Sequence, residues 1–233
     1  MIEDYLKKGF TALQIDNLLS KEDLAEFNDV ANRTYDMNLN PRWHYIFAIK
    51  GKHNDPEWPI LVPYNQVELK KKQAEKQGLI VTQQWYELKQ GEDVEYVKYF
   101  HQLIKKIILP IYPEINVDCN NLEFQSALTI YQKGDFIDFH RDGENEGRLC
   151  AILIYLSPKT NYDNSYGGQL QISSDDEGEL GKIPVTEIEP VRGNVALLDF
   201  TGHNPWHAVK KLTEDWKRVC FISFLWNKDK KKK

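Results

Sequence analysis

From residue 123 to residue 226 the sequence contains a series of short, strand-like apolar runs. Turn-forming glycine and proline residues and acidic residues separate these runs. Several short strands in series, each bounded by turn signals, are typical of a sandwich or a barrel. The runs are EFQSALTIY (123–131), RLCAILIYL (148–156), GQLQI (168–172), PVTEIEP (184–190), GNVALLDF (193–200) and KRVCFISFLW (217–226). The second half of the chain is therefore predicted to be rich in β-structure.

The residues before this series show helical patterns. Ser20 and Asp23 have nearly the spacing of a capping box, and apolar residues then recur at helical spacing, which predicts a helix over 20–37. A second apolar stripe predicts a helix at about 93–109 that Pro110 ends. Two further elements are predicted, a strand within residues 8–19 and an exposed, charged helix over residues 66–77.

Residues 38–64 have no clean period. Four prolines and several aromatic residues alternate there, so the segment is predicted to be irregular. Two interpretations remain open. The segment either forms a loop that lines a substrate cleft or covers the core without a functional role.

Length and composition favour one soluble domain. The chain has 233 residues, of which 41% are hydrophobic and 28% charged, and no apolar run approaches the ~18 residues that a membrane span needs. The first residues lack the apolar core of a signal peptide, so a cytoplasmic location is expected. The three cysteines, an odd number without CxxC spacing, indicate free thiols.

The formal net charge of −5 argues against a nucleic-acid partner, because binding to phosphate groups favours a positive surface. Membrane association is not expected either. The oligomeric state remains unknown at this stage. Residues 228–233 form a lysine-rich tail that is predicted to be a solvated terminus.

The stretch YQKGDFIDFHRD (131–142) carries the residues with the most specific chemistry. It ends with His140 and Asp142, two residues apart, and in an extended segment such residues point to the same face. One imidazole and one carboxylate are two of the three protein ligands of a non-haem Fe(II) site, which needs a second histidine. Downstream, His207 is the candidate for this third ligand, and His203 is its competitor.

The order of these motifs resembles that of the Fe(II)/2-oxoglutarate-dependent dioxygenases, and within them the prolyl 4-hydroxylase-like branch. The resemblance covers residues 124–226. It implies an α+β fold with a double-stranded β-helix core, jelly-roll or cupin-like, that N-terminal helices buttress. The expected organisation is a core over 123–227, with residues 1–122 packed on it as a dependent elaboration. The motif pieces are YQKGDF, HRD, Tyr155-Leu156, GGQL, PVRGNVALLDF, HAV and a late arginine, Arg218.

The resemblance also implies roles for individual residues. His140, Asp142 and His207 would bind Fe(II). The family pattern favours His207 over His203, because the ligand is followed by a small residue and a valine. A supporting role for His203 or Asp199 near the ligands stays open.

Arg218 would grip the distal carboxylate of 2-oxoglutarate, which a planar guanidinium can hold with two parallel hydrogen bonds. Tyr131 and Tyr155 match the tyrosines that contact the cosubstrate in the family. Many relatives carry a serine two residues after the arginine, whereas this chain has Cys220. A thiol is a weaker donor, so cosubstrate affinity would depend more on the tyrosines.

The implied reaction consumes O2 and converts 2-oxoglutarate to succinate and CO2 while a substrate is hydroxylated, with ascorbate as a supporting reductant. Asp142 leaves no iron position open for chloride, which argues against halogenation. The motif pattern favours a prolyl residue in a protein or peptide as the substrate. Trp206 and Arg141, next to two of the proposed ligands, are predicted to line the entrance.

Three alternatives to prolyl hydroxylation stay open. The same chemistry could act on a free amino acid or another small molecule. Nucleic-acid demethylation fits less well, because nothing basic follows Arg218 until Lys228. The last alternative is a metal-binding protein with the same fold and no turnover.

Overall fold

The computed structural model describes residues 12–16, 19–25, 43–49, 60–62, 66–88, 102–104, 122–142, 147–157, 162–173, 186–200 and 205–227. These residues form twelve strands, all paired antiparallel in one continuous hydrogen-bonded network. The strands are β1 (Ala12–Ile15), β2 (Trp43–Ile49), β3 (Ile60–Val62), β4 (Leu79–Leu88), β5 (Leu122–Tyr131), β6 (Phe136–His140), β7 (Arg148–Tyr155), β8 (Leu170–Ser173), β9 (Thr186–Ile188), β10 (Val195–Asp199), β11 (Trp206–Val209) and β12 (Arg218–Asn227).

The main path through the sheet has the order β1-β10-β7-β12-β5-β4-β6-β11-β8-β9, and β2 pairs with both β3 and β4. Each of the six predicted apolar runs overlaps one of these strands. The architecture confirms the predicted double-stranded β-helix core.

The core lies along the central strands β7 and β12. Residues 149–155 are buried without alternation, because β7 has β10 on one side, β12 on the other, and packed side chains on both faces. Side chains of β7 and of the surrounding strands form one hydrophobic cluster. The buried members of that cluster are Ala151, Leu153, Tyr155, Leu170, Ile172, Ile188, Ala196, Leu198, Cys220, Phe224 and Trp226.

The helical predictions are confirmed where the structure describes them. Helix α1 (Val67–Glu75) is the predicted charged helix. Residues 21–25 are helical, and Ser20 and Asp23 form the capping box: the Asp23 amide donates to Ser20 Oγ at 3.0 Å and the Ser20 amide to Asp23 Oδ2 at 3.3 Å. Residues 102–104 are helical too, whereas the rest of the helices predicted over 20–37 and 93–109 lies outside the described residues.

The prediction of irregular structure for residues 38–64 is wrong where the segment is described. It contains β2 and β3, which pair with each other, and β2 also pairs with β4. The segment's aromatic and β-branched residues fit a pleated sheet, and both strands lie in stretches between its prolines. Strand β4 itself was not predicted.

Strand β4 connects the first part of the chain to the core. One edge of β4 pairs with β2, and the other edge pairs first with β6 and then with β5. The N-terminal strands therefore extend the same sheet as the core, although the predicted boundary at residue 122 stays a prediction. The described residues contain no helix that combines the length and apolar character of a membrane span.

Candidate active site

Three side chains with metal-binding atoms converge between β6, β11 and the residues after β6. His140 ends β6, and its Cα pairs directly with that of His207 on β11, so the two imidazoles lie side by side with centroids 4.3 Å apart. Asp142 lies two residues beyond His140, after the strand has ended. The ligand atoms of all three residues lie within 4.8 Å of one another.

Backbone carbonyls orient both imidazoles. His140 Nδ1 lies 3.0 Å from the Asp138 carbonyl oxygen, and His207 Nδ1 lies 2.9 Å from that of Pro205. A carbonyl can only accept, so each Nδ1 carries the proton in the neutral ring and each Nε2 is left as a potential metal ligand. The Nε2 atoms lie 3.7 Å (His140) and 3.5 Å (His207) from the Asp142 carboxylate oxygens.

The protonation states suit a divalent cation. Burial alone would raise the pKa of Asp142, but the neighbouring His207 and His140 hold it below its usual range. Burial and the neighbouring His207 lower the pKa of His140 to about 4. For His207, burial lowers the pKa, yet Asp142 raises it above its ordinary value. An anionic carboxylate and a neutral imidazole are thus present at neutral pH, and metal binding would displace any proton from the second imidazole.

A buried arginine lies in the same cavity as these three residues. Arg218 opens β12, where its Cα pairs with that of Tyr131 on β5, and it is only 1% exposed. Its guanidinium carbon lies 5.1 Å from the ring centroids of both Tyr131 and Tyr155. Within the described part of the chain, Arg218 Nε and Nη2 have no hydrogen-bond partner. A buried cation with unused donors fits the carboxylate of 2-oxoglutarate.

The cavity has a volume of about 520 Å³. It places the metal-binding group and the guanidinium around one space, as a cosubstrate that contacts both would require. Its remaining walls are largely apolar. The lining residues are Gln83, Trp85, Gln125, Thr129, Tyr131, Ile137, His140, Asp142, Arg148, Ala151, Leu153, Leu170, Leu198, His207, Val209, Arg218, Ile222 and Phe224.

The two predicted cosubstrate tyrosines occupy different positions. Tyr131 lines the cavity, and its hydroxyl donates to Gln83 Oε1 at 2.6 Å. Tyr155 is fully buried beside Arg218 and is not among the cavity-lining residues. A direct contact of Tyr155 with the cosubstrate therefore stays a prediction.

Cys220 is buried and free. Its thiol lies 3.3 Å from the Phe221 carbonyl oxygen, to which it donates, and burial raises its pKa to about 11. The thiol is thus protonated at neutral pH and its proton is directed to the backbone. This arrangement leaves Cys220 poorly suited to the donor role that a serine has in relatives.

The turn before β6 is held by a buried carboxylate. Asp135 is fully buried and accepts a hydrogen bond from the Tyr45 hydroxyl on β2 and from the Gln132 amide at 3.0 Å. Lys71 on α1 lies 3.3 Å from the same carboxylate. Elements from the N-terminal part of the chain therefore fix the start of the strand that ends at His140.

Sequence reasoning missed several cavity residues, of which Arg148 is the most notable. Its guanidinium carbon lies 4.4 Å and 4.5 Å from the ring centroids of Phe224 and Trp226. Its Nη1 lies 3.7 Å from Asp142 Oδ2, while its Nε has no partner within the described residues. The only sequence feature that singles out Arg148 is its position as a charged residue at the start of an otherwise apolar run.

Gln83 and Trp85 reach the cavity from β4, and because this strand was not predicted, neither residue was a candidate. The predicted entrance residues contact each other, with the Arg141 guanidinium carbon 5.1 Å from the Trp206 ring centroid. Neither of them is among the residues that line the cavity. His203 lies outside the described residues.

The sequence and the fold match known proteins. Residues 126–226 match the family model of the 2OG-Fe(II) oxygenase superfamily. A prolyl-4-hydroxylase from Pseudomonas putida has a TM-score of 0.62 at 16% identity, with 97% of this chain and 99% of that chain covered. A prolyl hydroxylase from Trichoplax adhaerens, in complex with a hypoxia inducible factor peptide fragment, has a TM-score of 0.63 at 16% identity, with 99% and 92% covered.

Other oxygenase folds are also similar. The epimerase SnoN from nogalamycin biosynthesis has a TM-score of 0.58 at 11% identity, with 97% of this chain and 83% of that chain covered. No curated protein sequence matches the chain. Identities this low establish the shared fold alone, so the family rests on the matched segment together with the His-Asp-His group. Residues 126–226 match the 2OG-Fe(II) oxygenase superfamily and contain the His-Asp-His group, and the protein is a dioxygenase that uses Fe(II) and 2-oxoglutarate.

Proposed function

We propose that this dioxygenase hydroxylates a prolyl residue in a protein or peptide and converts 2-oxoglutarate to succinate and CO2. The observation that carries the chemistry is the single cavity in which His140, Asp142 and His207 face Arg218. The fold shared with prolyl hydroxylases over nearly the whole chain supports the choice of substrate.

In this proposal His140, Asp142 and His207 hold Fe(II) on one face, and the buried Arg218 holds the distal carboxylate of 2-oxoglutarate. When bound, the iron and the cosubstrate supply the activation of dioxygen. The protein binds and orients the iron and the cosubstrate, and it excludes water from the site. His140 has the most exposed side chain of the three, 31% against 8% for His207, so the substrate approaches from the His140 side.

The apolar walls of the cavity suit a pyrrolidine ring. Trp85, Leu198 and Phe224 contribute apolar surface to the same space as the metal-binding residues. Burying such a ring contributes on the order of 25 cal/mol per Å² of apolar surface. The free, buried thiols of Cys150 and Cys220 agree with a cytoplasmic location as part of the proposal.

The test measures succinate formation by the purified protein with Fe(II), ascorbate and 2-oxoglutarate, with and without a pool of proline-containing peptides. Stimulation by the pool, with a gain of one oxygen on proline in the mass spectra, is expected. The His140→Ala variant serves as the control and should form no succinate. Slow succinate formation that the peptides leave unchanged would exclude a prolyl substrate from the pool.

A second candidate function is the hydroxylation of a free amino acid or another small acid. Arg148 favours it, because the Nε of this cavity residue has no partner among the described residues and a substrate carboxylate could engage it. A panel of free amino acids and keto acids in the same assay separates the two candidates. Under this second function, Arg148→Met would raise the KM for the acid while leaving uncoupled succinate formation intact.

A further inference from the structure

The wall of the cavity beside Tyr131 is built by β4, which comes from outside the family-matched segment. β4 runs along β6 and then along β5, so it lies between the strand of His140 and the strand of Tyr131. Gln83 projects from β4 into this cavity and is 9% exposed. Its Oε1 accepts a hydrogen bond from the Tyr131 hydroxyl at 2.6 Å.

This hydrogen bond decides what Tyr131 can offer to a ligand. A phenol has one proton, and burial raises the pKa of Tyr131 so that the proton is kept at neutral pH. While that proton is donated to Gln83, the Tyr131 oxygen can only accept. A carboxylate of 2-oxoglutarate also only accepts, so the observed arrangement leaves Tyr131 without a hydrogen bond to give.

A glutamine side chain can resolve this mismatch, because its amide carries both an acceptor and a donor. Rotation of the amide by half a turn exchanges Oε1 and Nε2 at nearly constant shape. Nε2 then donates to the Tyr131 oxygen, and the phenol proton is released for the carboxylate. Neither a glutamate nor an apolar side chain could hold Tyr131 in both arrangements.

We propose that Gln83 is a positioning residue for 2-oxoglutarate, which it controls through Tyr131 by reversing the direction of their hydrogen bond. The inference rests on the proposed cosubstrate pocket around Arg218. Tyr131 is already placed there, since its ring lies 5.1 Å from the guanidinium carbon. The N-terminal part of the chain thereby contributes to cosubstrate affinity, which the core segment would otherwise determine alone.

The test measures binding without turnover, by calorimetric titration of 2-oxoglutarate into Mn²⁺-loaded protein. Gln83→Glu can only accept, so it retains the Tyr131 proton, and its Kd for 2-oxoglutarate should rise about 10- to 100-fold, the range for losing a hydrogen bond to a charged group. Gln83→Met frees the proton but no longer orients the hydroxyl, so its Kd should rise only about threefold, as expected for a weak neutral hydrogen bond.

Two controls separate this role from charge repulsion. Gln125→Glu adds the same charge to the same cavity at a site six residues from Tyr131 along β5, about 20 Å away at ~3.3 Å per residue, and should change the Kd little. In a Tyr131→Phe background the Gln83→Glu effect should shrink by about tenfold, because the phenol proton is no longer there to be withheld.

Three outcomes are decisive. If the wild-type protein binds no 2-oxoglutarate, the proposed cosubstrate pocket itself fails. If the wild type binds and Gln83→Glu binds equally well, only the role of Gln83 fails. Equal effects of Gln83→Glu in the wild-type and Tyr131→Phe backgrounds would assign the loss to charge alone and overturn the inference. Mn²⁺ affinity and the thermal midpoint of each variant verify that the site is intact.

Discussion

Replacing Arg218 with methionine should remove cosubstrate binding without removing stability. Methionine fills a similar elongated volume and carries no charge. In the protein without cosubstrate, Arg218 keeps two buried N–H donors without partners in the described residues, each costing about 1–3 kcal/mol. Its contacts with the two tyrosine rings at 5.1 Å offset part of that cost, at about 0.5–2 kcal/mol each. The net effect of Arg218→Met on the free energy of unfolding should therefore be small.

The affinity for 2-oxoglutarate, in contrast to the stability, should change strongly in Arg218→Met. A guanidinium that holds a carboxylate through two charge-assisted hydrogen bonds, each about 1.5–3 kcal/mol, loses about 3–6 kcal/mol on substitution. At about 1.4 kcal/mol per factor of ten, the Kd for 2-oxoglutarate should rise by at least about 100-fold. Arg218→Lys keeps a point charge without the planar fork, and should show an intermediate loss.

Thermal unfolding in the presence of Mn²⁺ measures both effects. At a 2-oxoglutarate concentration of about 100 times the wild-type Kd, binding stabilises the wild type by about 2.7 kcal/mol, or about 5–11 °C at about 2–4 °C per kcal/mol. For Arg218→Met the same concentration should give about 0.4 kcal/mol, or about 1 °C. A wild-type-sized shift in the variant would refute the assignment of Arg218. A midpoint without 2-oxoglutarate that falls by more than about 10 °C would refute the reasoning on its buried donors.

Three further predictions test the surroundings of the site. His207→Ala should abolish Fe(II) binding in a metal titration while His203→Ala retains it; equal losses would leave the choice of ligand unsupported. Asp135→Ala removes the carboxylate that accepts from the buried Tyr45 hydroxyl and from the Gln132 amide. It should lower the free energy of unfolding by about 2–4 kcal/mol in urea melts and weaken Fe(II) binding, since the turn before β6 loses its anchor; unchanged Fe(II) affinity would limit Asp135 to a stabilising role. Gly167→Ala places a Cβ 2.0 Å from the Lys211 carbonyl oxygen at a φ of +77°. The thermal midpoint of this variant should fall by several degrees, at about 2–4 °C per kcal/mol of lost stability. An unchanged midpoint would contradict the close approach of the two backbone segments.

The β-rich core was predictable because its signal is local. Each run from 123 to 226 carries its own apolar residues and turn signals, and antiparallel strands in series report their presence without knowledge of their partners. The capping box at Ser20 and the charged helix over 66–77 were predictable for the same reason, since both depend on contacts within a few residues. The order of the motif pieces added the family and its fold.

Strands β2 and β4 were not predictable from local patterns. Their sequences alternate poorly, and the partners of β4 come from three different parts of the chain. Those pairings alone determine the positions of Trp85 and Gln83 at the cavity and of Tyr45 at the turn before β6. Arg148 was missed for a related reason: its contacts with Asp142 and two aromatic rings join residues that are distant in sequence.

The amino-acid sequence alone was enough to name His140 and Asp142 as candidate ligands from their type and spacing, and the family resemblance added His207, in preference to His203, and Arg218. The convergence of these residues is a property of the folded sheet: His140 and His207 meet because β6 pairs with β11, and Arg218 faces Tyr131 because β12 pairs with β5. The partner of the Tyr131 hydroxyl came only from the tertiary structure, because a hydrogen bond between residues 48 positions apart leaves no trace in either local pattern.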